Sequence, residues 1–278
     1  MPAASKVLFG LLNQQRALQS QYERPDGASY AAIWRQVPGG PLHFRHGLSV
    51  GEYQQEFDTM IALGFALKHV HGYAVSGREH FSGIWEAVPS PAFFARHNMD
   101  AAAYQAEFDN QSAQGFRLMR VSGYERNGAE NFVALWEKIL GPAMIARHGM
   151  TTEQYQEQFD QAVSQGIRLI LVNGYGFGGQ FRFVAIWVKD GGPPIEAHHN
   201  LGATQYQATF DRLVSQGMHL TWVSCYRIDE DELYAAIWER SESPALLARH
   251  RMTSVDFQHE FETHGSADGF RPFHITAG

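Results

Sequence analysis

Tryptophan recurs along this chain at an interval of 51 residues: Trp34, Trp85, Trp136, Trp187 and Trp238. His46, His97, His148, His199 and His250 keep the same interval, as do Phe57, Phe108, Phe159, Phe210 and Phe261. Three columns in register over five copies leave no room for chance. A period of this length means that one supersecondary unit is repeated and stacked on its neighbours. The fold is therefore set by what one unit contains and by how five units meet.

One unit reads as a helix followed by a β-hairpin. Thr151 opens the helix as N-cap, with Gln154 three residues on, as in a capping box. Ser49 with Glu52 and Thr253 with Asp256 repeat the pattern. Tyr155, Phe159 and Val163 form an apolar stripe. Gly166 ends the helix as a left-handed cap, and Gly64, Gly115 and Gly217 hold the same place. The short apolar runs Leu118–Tyr124, Leu169–Tyr175 and Leu220–Tyr226 read as first strands. Asn127-Gly128 is a hairpin turn, and Phe132–Trp136 is the return strand. The middle of each return strand is small (Ala32, Gly83, Ala134, Ala185, Ala236), which predicts close packing by a neighbouring backbone or helix. Pro91, Pro142, Pro193 and Pro244 punctuate a loop back to the next helix.

The units run at about 22–72, 73–123, 124–174, 175–225 and 226–278, a single repeat domain after an N-terminal extension, 1–21. The first regular element is a return strand, Tyr30–Trp34. The last two are a helix from Thr253 and a first strand, Phe270–Thr276, after a one-residue insertion before Gly269. Pairing those ends completes a fifth hairpin. The expected fold is thus α+β: five helix-plus-hairpin units closed into a five-bladed αβ-propeller-like ring. The alternative is an open α/β solenoid. Val7, Leu8, Leu11 and Leu12 in the extension can form a short amphipathic helix that caps the ring, or meet a second chain.

Composition narrows the partners. The 278 residues carry a formal net charge of −7, which argues against nucleic acid or an anionic membrane as partner. A single cysteine, Cys225, excludes an internal disulfide framework. Met1–Gln21 lacks the pattern of a signal peptide, and no run of about 18 apolar residues exists. A cytoplasmic location is expected, or a secreted one if a signal peptide has been removed.

The segments Arg147-His148-Gly149-Met150-Thr151, Tyr155 to Asp160, Gln165-Gly166-Ile167-Arg168-Leu169 and Ala185-Ile186-Trp187 resemble the bacterial tandem repeat found in the N-terminal domain of fungal polyglycine hydrolases. The resemblance covers the chain from Tyr22 onward. In those enzymes the chemistry belongs to a separate C-terminal domain similar to serine β-lactamases. Neither Ser-x-x-Lys nor Gly-x-Ser-x-Gly occurs here. The resemblance implies a repeat domain that positions a substrate or partner.

The candidate ligand residues are the repeated pairs Arg45-His46, Arg96-His97, Arg147-His148 and Arg249-His250, with His199 in the variant unit. The five histidines can surround an axis and hold a metal or an anion. They can equally be packing parts, because a device needed by every unit must recur in every unit. The acidic column Asp58, Asp109, Asp160, Asp211 and Glu262 can pair with these arginines or orient the histidines. Glu86, Glu137 and Glu239 can serve the arginines of their own units. His69 and His71, two apart on a strand, with His80 on the paired strand, are weak metal candidates beside a plain solvated cluster. Cys225 replaces a repeated glycine and reads as a small buried residue. Trp222 is an additional aromatic that can be a ligand platform or fill space.

These observations predict a non-catalytic binding or scaffold protein, recognising a protein, peptide or small ligand at the ring axis or rim, with no cofactor. The alternatives are a hydrolase-like or metal-dependent enzyme using the repeated His and Asp residues, and a structural oligomer joined through the N-terminal segment. A monomer is the expected state.

Overall fold

Each period folds into a three-stranded antiparallel sheet with one helix, and the return strand is always central. The computed structural model describes residues 27–228, 230–267 and 269–278, without the side chains of 265–267. The N-terminal extension and its expected short helix lie outside the described residues.

The strand β1 (Tyr30–Gln36) comes first. Then follow β2 (Leu42–Leu48), α1 (Val50–Ala62), β3 (Ala66–Val75) and β4 (Arg78–Glu86). The second unit has β5 (Phe93–Asp100), α2 (Ala101–Ala113), β6 (Arg117–Arg126) and β7 (Ala129–Glu137). The third has β8 (Met144–Met150), α3 (Thr152–Ser164), β9 (Arg168–Phe177) and β10 (Gln180–Val188). The fourth has β11 (Ile195–Gly202), α4 (Ala203–Ser215), β12 (His219–Ile228) and β13 (Asp231–Glu239). Last come β14 (Leu246–Met252), α5 (Ser254–Ala267) and β15 (Phe270–Ala277).

Local signals produce the local structure. Ser49 and Thr151 close reciprocal capping boxes with Glu52 and Gln154. Gly64, Gly115, Gly166 and Gly217 follow the helices at φ between 68° and 81°, the left-handed region where a side chain is strained. Asn127 and Gly128 both have positive φ, the backbone of a tight hairpin turn. The helix stripe differs from the sequence reading in one position. Ala162, seven residues after Tyr155, is buried, and Val163 is 51% exposed. Seven residues nearly complete two helical turns, whereas eight overshoot.

A third strand per unit (β2, β5, β8, β11, β14) occupies what reads as a loop. It is short, rich in Arg and His, and interrupted by a bulge. Gly47, Asn98, Gly149, Asn200 and Arg251 take positive φ there, and the register to the central strand slips at that point in every sheet. A segment without clean alternation carries no period-two signal.

The order in each complete sheet is β2-β4-β3, β5-β7-β6, β8-β10-β9 and β11-β13-β12. The fifth sheet is β14-β1-β15. Tyr30 stands opposite Ala277 on one side, and Trp34 stands opposite Leu247 on the other. Both ends of the described chain therefore build one sheet, the pairing that the offset repeat predicts. The inner strands β3, β6, β9, β12 and β15 pack successively, and β15 also packs on β3.

All five repeated tryptophans are fully buried. At Gly83 a β-carbon would meet the ring of Trp85 itself at 2.2 Å. The small residue there makes room for the unit's own tryptophan, not for a neighbouring backbone. No helix among the described residues is long and apolar enough to cross a membrane.

Candidate functional site at the centre of the five sheets

The Arg-His pairs sit on β2, β5, β8, β11 and β14, on the far side of each sheet from the inner strands. Each pair belongs to a different sheet. His97, His148, His199 and His250 pack edge-on against Tyr53, Tyr104, Tyr155 and Tyr206 of the preceding unit's helix, with centroids 5.0–5.4 Å apart. His46 packs on Phe257 at 5.2 Å and bonds Ser254 at 2.7 Å. Burial lowers the pKa of His97, His148, His199 and His250. Three of the four arginines turn to their own helices. Arg96 pairs with Glu107 at 2.6 Å, Arg249 with Glu260 at 3.2 Å, and Arg45 with Glu56 at 3.7 Å. Arg147 donates to its neighbouring carbonyl, Ala146 O.

The acidic column reaches the histidines indirectly. Gln54 Nε2 donates to Asp58, and Gln54 Oε1 meets His97 of the next unit. Gln105 links Asp109 to His148 in the same way. Glu86, Glu137 and Glu239 do not serve their own units: they pair across boundaries with Arg271, Lys68 and Arg168. The columns that look most like chemistry thus join one unit to the next.

The candidate metal histidines are separated as well. His69 and His71 are buried, and their Nε2 atoms meet Ile275 O at 2.7 Å and Ala277 O at 3.1 Å on β15. They are neither a solvated cluster nor joined by His80, which stacks on Tyr73. Among the described residues, no three His, Cys, Asp or Glu side chains converge at metal-binding spacing.

What does converge is a column that the sequence marks only as irregular. An additional residue bulges from each inner strand at Lys68, Met119, Ile170, Thr221 and Phe273. The residue after each bulge turns to the centre: His69, Arg120, Leu171, Trp222 and His274. Trp222 and His274 lie 4.0 Å apart between centroids, His69 and His274 4.8 Å, and His69 and Trp222 6.3 Å. The last pair spans units that are not neighbours. Trp222 Nε1 donates to Val172 O at 2.7 Å, so its polar edge is satisfied on the adjacent inner strand.

A second layer lies two residues on. Gly72, Gly123, Gly174 and Cys225 each donate a backbone N–H to the next unit, to Ser122, Asn173, Ser224 and Thr276 at 2.8–3.2 Å. These contacts supply partners for buried backbone groups on strands that do not pair with each other. The sequence signal is a polar residue at one place in every unit (His71, Ser122, Asn173, Ser224, Thr276), easily passed over inside an apolar run.

The two layers separate two cavities. One, of about 440 Å³, opens at the hairpin turns and is walled by repeated Gly-Tyr pairs from Gly72-Tyr73 to Cys225-Tyr226. The other, of about 390 Å³, opens at the opposite end among Arg35, Lys68, Glu86, Arg120, Glu137 and Arg271.

The chain matches a family model described as the polyglycine hydrolase-like structural repeat at residues 39–88, 90–139, 141–190, 192–241 and 243–278. It belongs to that repeat family. The first four matched segments contain whole sheets, each running from its bulged strand to its tryptophan strand, and the fifth holds β14 and β15 of the sheet that β1 completes. A search of curated proteins finds no match.

In this polyglycine hydrolase-like repeat, glycine before tyrosine on the inner strand is a requirement of the boundary. A β-carbon on Gly123 or Gly174 would meet the ring of Tyr175 or Tyr226 in the next unit at 2.5 Å. Cys225 breaks the column where the next unit supplies Gly278 in place of a tyrosine, so room remains for a thiol. The thiol is fully enclosed and its pKa is raised by burial, which suits packing and not nucleophilic attack. Gly174→Ala should therefore cost about 1–3 kcal/mol by forced overpacking. Cys225→Ala should cost less than about 1.5 kcal/mol, as a small volume change at a site with room. Urea denaturation of both variants measures the difference, and equal losses would contradict the boundary argument.

Proposed function

We propose that this chain is a non-catalytic binding scaffold, a closed five-bladed propeller-like ring that holds a small ligand or peptide segment at its centre. The observation that carries this reading is a contrast between columns. The tryptophan and histidine columns are complete in all five units, and the inner-strand glycines Gly72, Gly123 and Gly174 give way only to small residues, Cys225 and Ala277. The residues turned to the centre differ almost throughout: His69, Arg120, Leu171, Trp222 and His274. A repeated backbone with varied central side chains keeps the frame and changes what the frame presents. Both cavities fall in the size range of small-molecule sites.

A ligand that binds only the folded chain raises its melting temperature. Screening small molecules and short peptides by thermal shift should yield compounds that stabilise the wild-type chain. That stabilisation should vanish in Trp222→Leu, a variant that keeps an apolar centre. Hits that all survive Trp222→Leu, or that are hydrolysed during incubation, would overturn the reading.

A further inference from the structure

Two departures from the repeat meet at the mouth opposite the hairpin turns. The residue after the repeated tryptophan is Glu86, Glu137 and Glu239 in three units, but Arg35 in the sheet built from both chain ends. The central column presents a cation, Arg120, where the other positions hold His69, Leu171, Trp222 and His274. The guanidinium carbon of Arg35 lies 3.6 Å from the centre of the Phe273 ring. That of Arg120 lies 5.9 Å from the same ring and 5.5 Å from Trp222. Two guanidinium groups therefore share one phenyl ring.

Their counter-charges are taken. Glu86 is paired with Arg271 at 2.6 Å, Glu137 with Lys68 at 3.7 Å, and Glu239 with Arg168 at 2.8 Å. Arg35 and Arg120 pair with no carboxylate among the described residues. Their Nε atoms are buried and lack a hydrogen-bond partner there. Arg120 Nη1 reaches only the carbonyl of Met119, at 2.8 Å. Burial lowers the Arg120 pKa to about 10; Glu137 opposes that shift and the charge of Arg35 adds to it. Buried donors of one sign without acceptors are costly, and a bound anion removes that cost. The chain carries a net charge of −7, so a cationic pocket at its centre is not a sample of its general surface.

We propose that this mouth binds a small organic oxyanion, a carboxylate or a phosphate ester, with its oxygens between Arg35 and Arg120 and its apolar part against Phe273 and Met119. The cavity of about 390 Å³ admits a molecule of that size and no folded partner. The inference rests on the reading of the centre as a binding site and names the ligand chemistry for one of its ends.

Isothermal titration calorimetry on the whole chain tests it, with 3-phenylpropionate, phenyl phosphate and inorganic phosphate as probes. The neutral 3-phenylpropionamide is the control, all at matched ionic strength. At least one anion should bind at one site per chain, and the carboxylate and phosphate arms show which head group fits. Arg120→Leu and Arg35→Glu should each weaken that binding at least tenfold. Arg35→Glu should also raise the melting temperature without ligand, because it gives Arg120 the internal carboxylate that other units carry. That second readout keeps the test decisive if Arg120→Leu fails to fold. Three results would overturn the proposal: no anion binding, amide binding as tight as carboxylate binding, or unchanged affinity in Arg35→Glu. None of them touches the Trp222-dependent ligands sought above, so the two readings fail separately.

Discussion

Deleting Phe270–Gly278 is expected to abolish cooperative folding of the whole chain, not merely to fray one end. The segment is β15, the inner strand of the sheet that joins the two chain ends. Without it β1 loses its partner from Tyr30 to Gln36. His69 and His71 lose the carbonyls of Ile275 and Ala277, and the Cys225 N–H loses Thr276. Each buried polar group left alone costs about 1–3 kcal/mol. The burial of Ile275 and Ala277 goes too. A domain holds only about 5–15 kcal/mol in reserve. In an open array, by contrast, removing a terminal element weakens only its neighbour. Far-UV circular dichroism with urea titration separates the two cases: loss of a sigmoidal transition is expected, and an unchanged midpoint would refute it.

The second large effect is loss of stability in mild acid. Burial holds the pKa of His69 and His274 well below the usual imidazole value, and that of His71 at about 4. An unfolded histidine titrates near 6.5. Between that value and the folded pKa, the unfolded chain binds protons that the folded chain refuses. Stability is therefore complete above about pH 6.5 and falls as the pH drops, by up to about 1.4 kcal/mol per pH unit for each such histidine. For His71 the window runs from about 6.5 to about 4. The urea midpoint should fall steeply from pH 7 to pH 4.5. His69→Gln keeps an amide donor for Ile275 O and cannot titrate, so it should flatten that slope. An equal slope in the variant would show that the acid sensitivity arises elsewhere.

Local features were the legible ones. A capping box needs Thr151 and Gln154 only, a hairpin turn needs Asn127 and Gly128 only, and both are where the sequence puts them. The fifth sheet was legible because the repeat itself is offset. The third strand was not, since its bulge at Gly47, Asn98, Gly149, Asn200 and Arg251 destroys the alternation that marks a strand. The centre was obscured for a related reason. Bulges at Lys68, Met119, Ile170, Thr221 and Phe273 shift the face of each inner strand midway. Strict alternation therefore cannot show that His69, Arg120 and Trp222 point to one place. The Arg-His columns misled in the opposite sense. Their regularity draws the eye, yet the five histidines, and Arg45, Arg96 and Arg249 with them, are consumed by packing between a strand and a helix.

The exchange of Gly and Tyr for Cys225 and Gly278 has a consequence for how such a chain can vary. Bulk that one unit gives up, its neighbour takes, so neither position is free to drift alone. A copied unit inserted into this chain would bring its own tyrosine to a site shaped for another residue. Interchangeability thus belongs to matched pairs of faces. What evolution or an engineer can trade is the joint, and the 51-residue segment is only the material on either side of it.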